Sequence, residues 1–568
     1  MPSMMKLGKT GKIGARGRDG EHAPPNATDA PGNGGRGGDG GAGQDVAAKP
    51  IWPVRSGHDY LAASYAGAGG QGGSGGNPGG TSSVEIRTDS KHVDTYHSPS
   101  ADGGNAGAGG AGGDAATAYS DIAANLRDAG SAYVLLSSLA GSGGGGGPSA
   151  DGGANNYYVD NFGIDGYGQP FQYVDHGLAG GLGGNGGNGG AGGAAYTSLD
   201  GGKFARVLAL RLNLSAEAGT GGTGSTGGLG GAGSIGGNGG RGGNGGHGGD
   251  AIAEISGNAI AAYASPSAGS SQIEFDLLAL AGNGGSAGEG GDGGRGAQLT
   301  IYSNALDPSQ NYTSELDTPG VAGRGGRSGD GGDAIVNFTN NTITGHDGND
   351  RIDFVIQATA GNAGAVADIP GDQAGSIGHR GHAIVNFSGN VIAGGGGVNT
   401  MDFSGSDVDL TVDLGTGSIN GGINTIRNIN VVIGGNEHNT LTGSAHRGET
   451  LEGGIRDDTL VSSPNGGDIF ENSPGNDSFV FLRVGDSPAS HPDTIEGLTP
   501  GRNTIDLSAI SPDLVHVAKL DGHPDEFALI YIQSHNMTKL AVDTDGDKVA
   551  DMIVLLPGDN REFSDFIV

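Results

Sequence analysis

The stretch GGNGGRGGNGGHGGDA, Gly236 to Ala251, places two glycines in every three residues and then stops at Asp250. Glycine is 125 of the 568 residues, about three times its usual share of roughly 7 %. Ordering a glycine costs about 0.5–1 kcal/mol more than ordering an alanine. Either these tracts are flexible linkers, or a regular arrangement offsets that loss. The glycine period is three, as at Gly8, Gly11, Gly14, Gly17 and Gly20, and again from Gly181 in GLGGNGGNGGAGGAA. Three residues per turn is the period of the extended left-handed helix, whose rise of about 3.1 Å would stretch Gly236–Asp250 to about 45 Å. The tracts have almost no proline, which excludes a collagen triple helix. Polyglycine II helices lying side by side fit better. Without Cβ atoms their backbones approach closely, each N–H and C=O finds a neighbour, and Cα–H···O contacts add a weak term. Glycines then face neighbouring helices, and Asn238, Arg241, Asn244 and His247 point outward to water.

Each tract leads into apolar segments. GGDAIAEISGNAI at 248, GGDAIVNFTNNTI at 331 and GHAIVNFSGNVI at 381 are sister sequences, and second runs such as QIEFDLLALAG (272) and RIDFVIQATAG (351) return to glycine. Alternation such as Ile352, Phe354, Ile356 reads as strand. The repeating unit is tract, strand, loop, strand, tract, and such units bury a face by stacking. The fold class expected is all-β and irregular: a polyglycine II bundle with interspersed β-hairpins over residues 1–394. In period and composition this part resembles the glycine-rich bundles of snow-flea antifreeze proteins and of some phage tail-tip adhesins, a likeness of architecture only.

The net charge of −33, from 62 acidic and 29 basic residues, argues against a nucleic-acid partner, which needs a basic footprint. It suits divalent cations. The basic cluster Lys6, Lys9, Lys12, Arg16 and Arg18 stands near the start. The absence of cysteine removes disulfides and thiolate metal sites. MPSMMKLGKTGKIGARG has no apolar core of a signal peptide, and no run reaches the ~20 apolar residues of a transmembrane helix. The expectation is a cytoplasmic chain, or one exported without reading its N-terminus.

From about Gly395 the sequence changes character. Aligned on its large apolar residue, the nonapeptide G-G-x-G-x-D-x-U-x puts sixth positions at Asn439, Glu449, Asp458, Asp468 and Asp477. The near-constant spacing resembles that of RTX repeats. The resemblance implies a parallel β-roll over 395–485, with turns that bind Ca²⁺ through carboxylate and carbonyl oxygens. The repeats are degenerate: position four is Glu437 and Arg456 in two early copies, and only the copies ending in Asp468 and Asp477 keep glycine there. Two nonapeptides make a coil, so Asp458 is expected to pair with Asp477 and Glu449 with Asp468, for one or two calcium ions. GHDGNDRIDF is an isolated copy with Asp350 sixth, in a hairpin loop, for which a solvated turn is an equal reading. Asp543, Asp545, Asp547 and Asp551 in DTDGDKVAD resemble a calcium loop, but Lys548 stands where an EF-hand needs glycine and no Glu stands twelfth. A tight acidic turn is the reading preferred.

NDSFVF, DSPASHPDTIEGLTPGRNTIDLSAI and KLAVDTDGDKVADMIVLLPG look like the C-terminal domain of serralysin-type secreted metalloproteases. The resemblance spans about 395–568, with 486–568 as cap and secretion signal. In that family an ending such as Asp565-Phe566-Ile567-Val568 belongs to the signal for type I export, which implies an exporter as partner, an extracellular location and folding driven by calcium outside the cell. The family's catalytic half needs H-E-x-x-H, and this sequence has none. HRGH, His379 to His382, has the wrong spacing and reads as a surface turn. The expected function is therefore a secreted, non-enzymatic structural or adhesive protein of a bacterial surface or biofilm matrix. Its contact surfaces would be loops such as 151–172 and 307–319, and its partners a surface or matrix component such as a polysaccharide, or itself. A divergent secreted hydrolase and an ice-binding protein are the alternatives. The latter would need a regular file of Thr or Ala where most of the third positions are Asn, Arg, His and Asp.

Overall fold

The computed structural model describes residues 131–151, 180–207, 209–232, 235–262, 270–295, 318–366, 374–446 and 448–568, with short segments elsewhere. Lys9, Lys12, Arg16 and Arg18 and most of loops 151–172 and 307–319 lie outside the described residues.

Alternating polarity produces strands, as its period requires. In Gln272–Leu280, Ile273, Phe275, Leu277 and Ala279 are buried, while Glu274 and Asp276 on the opposite face are half-buried. Ile352, Phe354 and Ile356 in Arg351–Thr359 repeat the pattern. The strands of one unit do not pair with one another, however. Ala251–Ser256 pairs in parallel with Ala195–Asp200 and Ala334–Thr339. Ala259–Ala262 pairs with Lys203–Val207 and Thr342–His346, and Gln272–Leu280 with Ala209–Glu217 and Arg351–Thr359. Each unit is thus one coil of a parallel solenoid, contributing one strand to each of three sheets. The expected hairpins are replaced by corners, where Gly257, Asn340 and Gly389 take left-handed φ of 66°, 56° and 71°. A residue in that conformation turns the chain into the next sheet, and alternation alone cannot distinguish this from reversal. Antiparallel hairpins do occur, in short strands such as Asn161–Ile164 with Pro170–Tyr173 and Leu299–Ile301 with Tyr312–Ser314.

The coils stack in exact register, Ala251 on Ala334 on Ala383 and Phe275 on Phe354. Like side chains therefore stack inside. Phe275 and Phe354 lie with ring centroids 5.2 Å apart and nearly parallel, as do Phe338 and Phe387 at 4.6 Å. Each fully buried ring contributes on the order of 1.5–3 kcal/mol by leaving water.

After its third strand each coil runs out and back through glycine. Gly240 and Gly243 N–H donate to Gly228 and Ser225 O, in the outgoing pass of the same coil, at 2.8 Å. Gly239, Gly242 and Gly245 donate to Val321, Arg324 and Arg327 O, in the returning pass of the next coil, at 2.9 Å. Outgoing passes are linked to each other likewise, Gly221 to Asn283 O and Gly224 to Ser286 O. The result is two layers of passes, parallel within a layer and antiparallel between layers. The third residues Asn238, Arg241, Asn244, His247 and Asp250 are exposed, whereas Gly240, Gly243, Gly246 and Gly249 are buried.

The solenoid does not stop where the glycine does. One 15-stranded sheet passes from Gln272–Leu280 through Arg351–Thr359, Thr400–Asp402, Val431–Ile433, Thr450–Glu452 and Ile469–Glu471 to Asp493–Glu496. Opposite it, Leu410–Asp413, Asn439–Thr442, Thr459–Val461, Ser478–Val480 and Thr504–Asp506 form the second wall of a parallel roll. Leu441, Leu451, Leu460, Phe470 and Phe479 fill it. The antiparallel strands Glu526–Ile532, Met537–Asp543 and Met552–Pro557 close the far end.

Candidate functional site

At the corner leading into seven successive strands of the long sheet, one residue stacks on its equivalents. The register aligns Ser271, Asp350, Asn399, Asn430, Glu449, Asp468 and Asp493 in one file. The rungs are hydrogen bonds from a backbone N–H to the next side chain. Ser271 donates to Asp350 Oδ1 at 2.9 Å, Asp350 to Asn399 at 3.0 Å, and Asn399 to Asn430 at 3.0 Å. Glu449 donates to Asp468 Oδ1 at 3.0 Å and Asp468 to Asp493 Oδ1 at 2.9 Å. On the opposite edge, Asn439 donates to Asp458 Oδ1 at 2.7 Å and Asp458 to Asp477 Oδ1 at 3.1 Å.

Both expected pairs, Glu449 with Asp468 and Asp458 with Asp477, are thus neighbours, one coil of 19 residues apart. Asp350 is neither isolated nor solvated. It is 3 % exposed and stands in the same file as the acids of the roll. It lies at a corner rather than in a hairpin loop, because the strand after it pairs across coils. Ser271 Oγ donates to its Oδ1 at 2.6 Å and His346 N–H to its Oδ2.

The RTX resemblance implies calcium at such turns, and the carboxylates differ in what they could offer it. Glu449 receives Ser444 N–H at 2.6 Å and the Ser444 hydroxyl. Asp468 Oδ2 receives Ser463 Oγ at 2.8 Å, Asp493 Oδ2 receives Ser462 Oγ at 2.6 Å, and Asp477 Oδ2 receives Ser473 Oγ at 3.0 Å. Asp458 Oδ2 is different: it is buried with no hydrogen-bond partner. A buried carboxylate oxygen without a donor is costly, and a cation would satisfy it. Of these five, Asp458 alone keeps an oxygen open to a cation, its Oδ1 being taken by Asn439 N–H and Nδ2; the other four carboxylates already have donors on both oxygens. Burial pushes the Asp458 carboxyl up to about 6, with the Asp477 charge adding to it. Burial likewise pushes Asp468 up to about 6 and Asp493 up to about 7, and raises Glu449.

Elsewhere among the described residues, Asp543, Asp545 and Asp551 bring carboxylate oxygens within 4.8 Å of one another, as do ligand atoms of Asp521, His523 and Glu526. Asp547 is not part of the first group. Asp543 there accepts the N–H of Gly546 at 2.7 Å and of Lys548 at 2.9 Å, which is the bonding of a tight turn. Lys548 itself has φ 72°, the conformation an EF-hand glycine would supply. His379 and His382 are widely exposed, and their N–H groups donate to Asp330 and Asp333 at 2.7 Å on the last returning pass. Asp565 Oδ2 accepts Gly501 N–H at 2.7 Å, and Phe566–Ile567 adds a strand beside Thr504–Asp506. Val568 is half exposed beyond it.

Two features escaped the sequence reading. One is the serine hydroxyls. The other is a buried asparagine ladder in which Asn258, Asn341 and Asn390 N–H donate in turn to Asn341, Asn390 and Asn424 Oδ1 at 3.0, 2.9 and 3.1 Å. The recurrent endings ISGN, FTNN and FSGN were its signal.

Residues 386–568 match the family described as peptidase M10 serralysin C terminal. The metalloprotease AprA of Pseudomonas entomophila is 38 % identical over 87 residues, 14 % of this chain and 18 % of that protein, so the chain spans less than a fifth of that relative's length. Among solved structures, the extracellular lipase LipA of Serratia marcescens aligns at 14 % identity over 41 % of this chain and 40 % of its own, with a TM-score of 0.14, too little to bear on fold or function. No described helix is long and apolar enough to cross a membrane. The nonapeptide spacing, the roll and the family match agree: residues 386–568 are a serralysin-type C-terminal domain.

Proposed function

We propose that this is a type I exported, extracellular protein without catalytic activity, serving as a structural or adhesive element of a bacterial surface or matrix. The observation that carries the export reading is the match of residues 386–568 to the serralysin C-terminal family. The structural reading is supported by the single sheet that runs from the glycine-flanked coils into that domain. In this reading the glycine passes are polyglycine II helices, whose lateral hydrogen bonds make the solenoid a stiff body. In it the roll, expected over 395–485, runs on to the wall strand Thr504–Asp506, and the residues after that are the cap with its secretion signal, ending in Asp565, Phe566, Ile567 and Val568. The exporter is one partner; a matrix polysaccharide or a second copy of the chain is the other.

The test is export from cells carrying a matching type I exporter. The full chain should reach the medium, and a chain lacking residues 486–568 should stay inside. Equal amounts outside with and without the cap would refute the export reading. Surface labelling of secreting cells then separates a cell-attached or matrix protein from a freely diffusing one.

A further inference from the structure

Calcium-binding turns hold their shape because an ion neutralises carboxylates that would otherwise repel each other in a confined space. The acids of this roll solve the same problem differently. Glu449, Asp468, Asp493 and Asp477 each have one oxygen met by a serine hydroxyl, from Ser444, Ser463, Ser462 and Ser473 respectively. Glu449 and Asp468 receive theirs from the residue five positions earlier, the first of the nonapeptide. In the Asp458 copy that place is held by Gly453, which has no hydroxyl to give, and only there is the second oxygen left without a donor. The spot is also tight: a Cβ on Gly453 would lie 2.7 Å from Asp458 Cβ.

We propose that serine hydroxyls stand in for the cation along this roll, so that the file Glu449–Asp468–Asp493 and the turn at Asp477 keep their shape without calcium, and one cation position remains, at Asp458. A serine O–H aimed at a carboxylate supplies the charge-assisted hydrogen bond that stabilises a buried acid. A cation entering the same turn would have to displace that proton donor. The consequence is a division within one domain. The Glu449–Asp468–Asp493 edge is built to be folded whatever the calcium concentration, and on the opposite edge the Asp458 turn alone, onto which Asn439 N–H donates, is built to respond to it.

Amide hydrogen exchange on the full chain, in millimolar calcium and in excess chelator, tests this. Chelation should change protection of the Glu449 and Asp468 amides by less than about twofold, while the Asn439 amide, which donates to Asp458, exchanges at least about tenfold faster. Asp458→Asn should abolish the calcium effect on Asn439. Ser463→Ala should speed exchange at Glu449 equally with and without calcium. Loss of protection at Glu449 and Asp468 on chelation would overturn the proposal, because the ion rather than serine would then hold that edge. No calcium effect at Asn439 would equally overturn it, by removing the cation from Asp458. The wild-type comparison stands even if a variant fails to fold.

Discussion

The Asn244 side-chain oxygen accepts the backbone N–H of Arg327 at 2.8 Å across a sequence gap of 83 residues. Asn244 N–H in turn donates to Asn188 Oδ1 at 2.8 Å. The outward third residue of a glycine triplet is therefore more than a solubilising side chain. It supplies the acceptor that its triplet's own geometry leaves missing one pass further on. Asp250 does the same for Asp333 N–H at 2.8 Å, and Asn238 for Val321.

Asn244→Ala should therefore be felt, although the site is exposed. Water can replace the lost acceptor only in part, so the cost should be about 0.5–1 kcal/mol, the usual net worth of one hydrogen bond. Asn244→Asp keeps the oxygen and should be close to neutral. The direct measurement is exchange of the Arg327 amide, which should quicken in the alanine variant alone. Unchanged exchange there would remove the side chain from the ladder.

Gly242 is the opposite case. A Cβ built on it would overlap the Gly288 carbonyl and lie 2.6 Å from Glu289 O, both backbone atoms that cannot swing aside. Gly242→Val should cost at least the 1–3 kcal/mol typical of overpacking, because two hydrogen-bonded passes must separate. Thermal melting beside the parent is the check. A variant that melts with the parent would mean that the passes are not packed in solution.

Asn341 is fully buried and carries four hydrogen bonds of its ladder. Its Oδ1 accepts Asn258 N–H at 3.0 Å and Asn258 Nδ2 at 2.9 Å, and its Nδ2 donates to Ile255 O at 2.9 Å and Asn390 Oδ1 at 3.1 Å. Asn341→Ala leaves several of these groups unpaired away from water, at roughly 1–3 kcal/mol for each. The expected loss is a few kcal/mol, seen as a lower denaturant midpoint for the coils around residue 341. A loss under about 1 kcal/mol would show that the corner relaxes to let water in.

How much of this was legible in the sequence depends on which physics each feature obeys. The roll was, because the spacing of Glu449, Asp458, Asp468 and Asp477 is a local signal with one geometric solution. The inward faces were, because Ile352, Phe354 and Ile356 alternate. The parallel coil was not: Ala251–Ser256 and Ala259–Ala262 read equally well as the arms of a hairpin, and only the φ of Gly257 sends them to different sheets. Asp350, expected in a hairpin loop, stands instead at a buried corner, and the sequence could not show this because its stacking on Asn399 is a contact across 49 residues. Ser444 and Ser463 did leave a mark, as serine at the first nonapeptide position where the repeat has glycine, but a serine in a turn is ordinary until its partner carboxylate is known.

The buried acids make the roll sensitive to pH in a direction opposite to that of ordinary salt-bridged carboxylates. Asp493, raised to about 7, and Asp468, raised to about 6, hold protons in the folded state at pH values where an unfolded Asp, near 3.9, has lost them. Between about pH 4 and pH 7 the folded chain thus binds more protons than the unfolded one, and stability falls as pH rises. In excess chelator the roll should melt at a higher temperature at pH 5 than at pH 8. Asp493→Asn fixes the neutral form and should flatten that slope. Hydrogen exchange of the Asp468 amide, which donates to Asp493, reports the effect locally and separates it from general repulsion in a chain of net charge −33. A roll whose protection is equal at pH 5 and pH 8 would mean that Asp468 and Asp493 are ionised throughout, held so by donors stronger than Ser463 and Ser462.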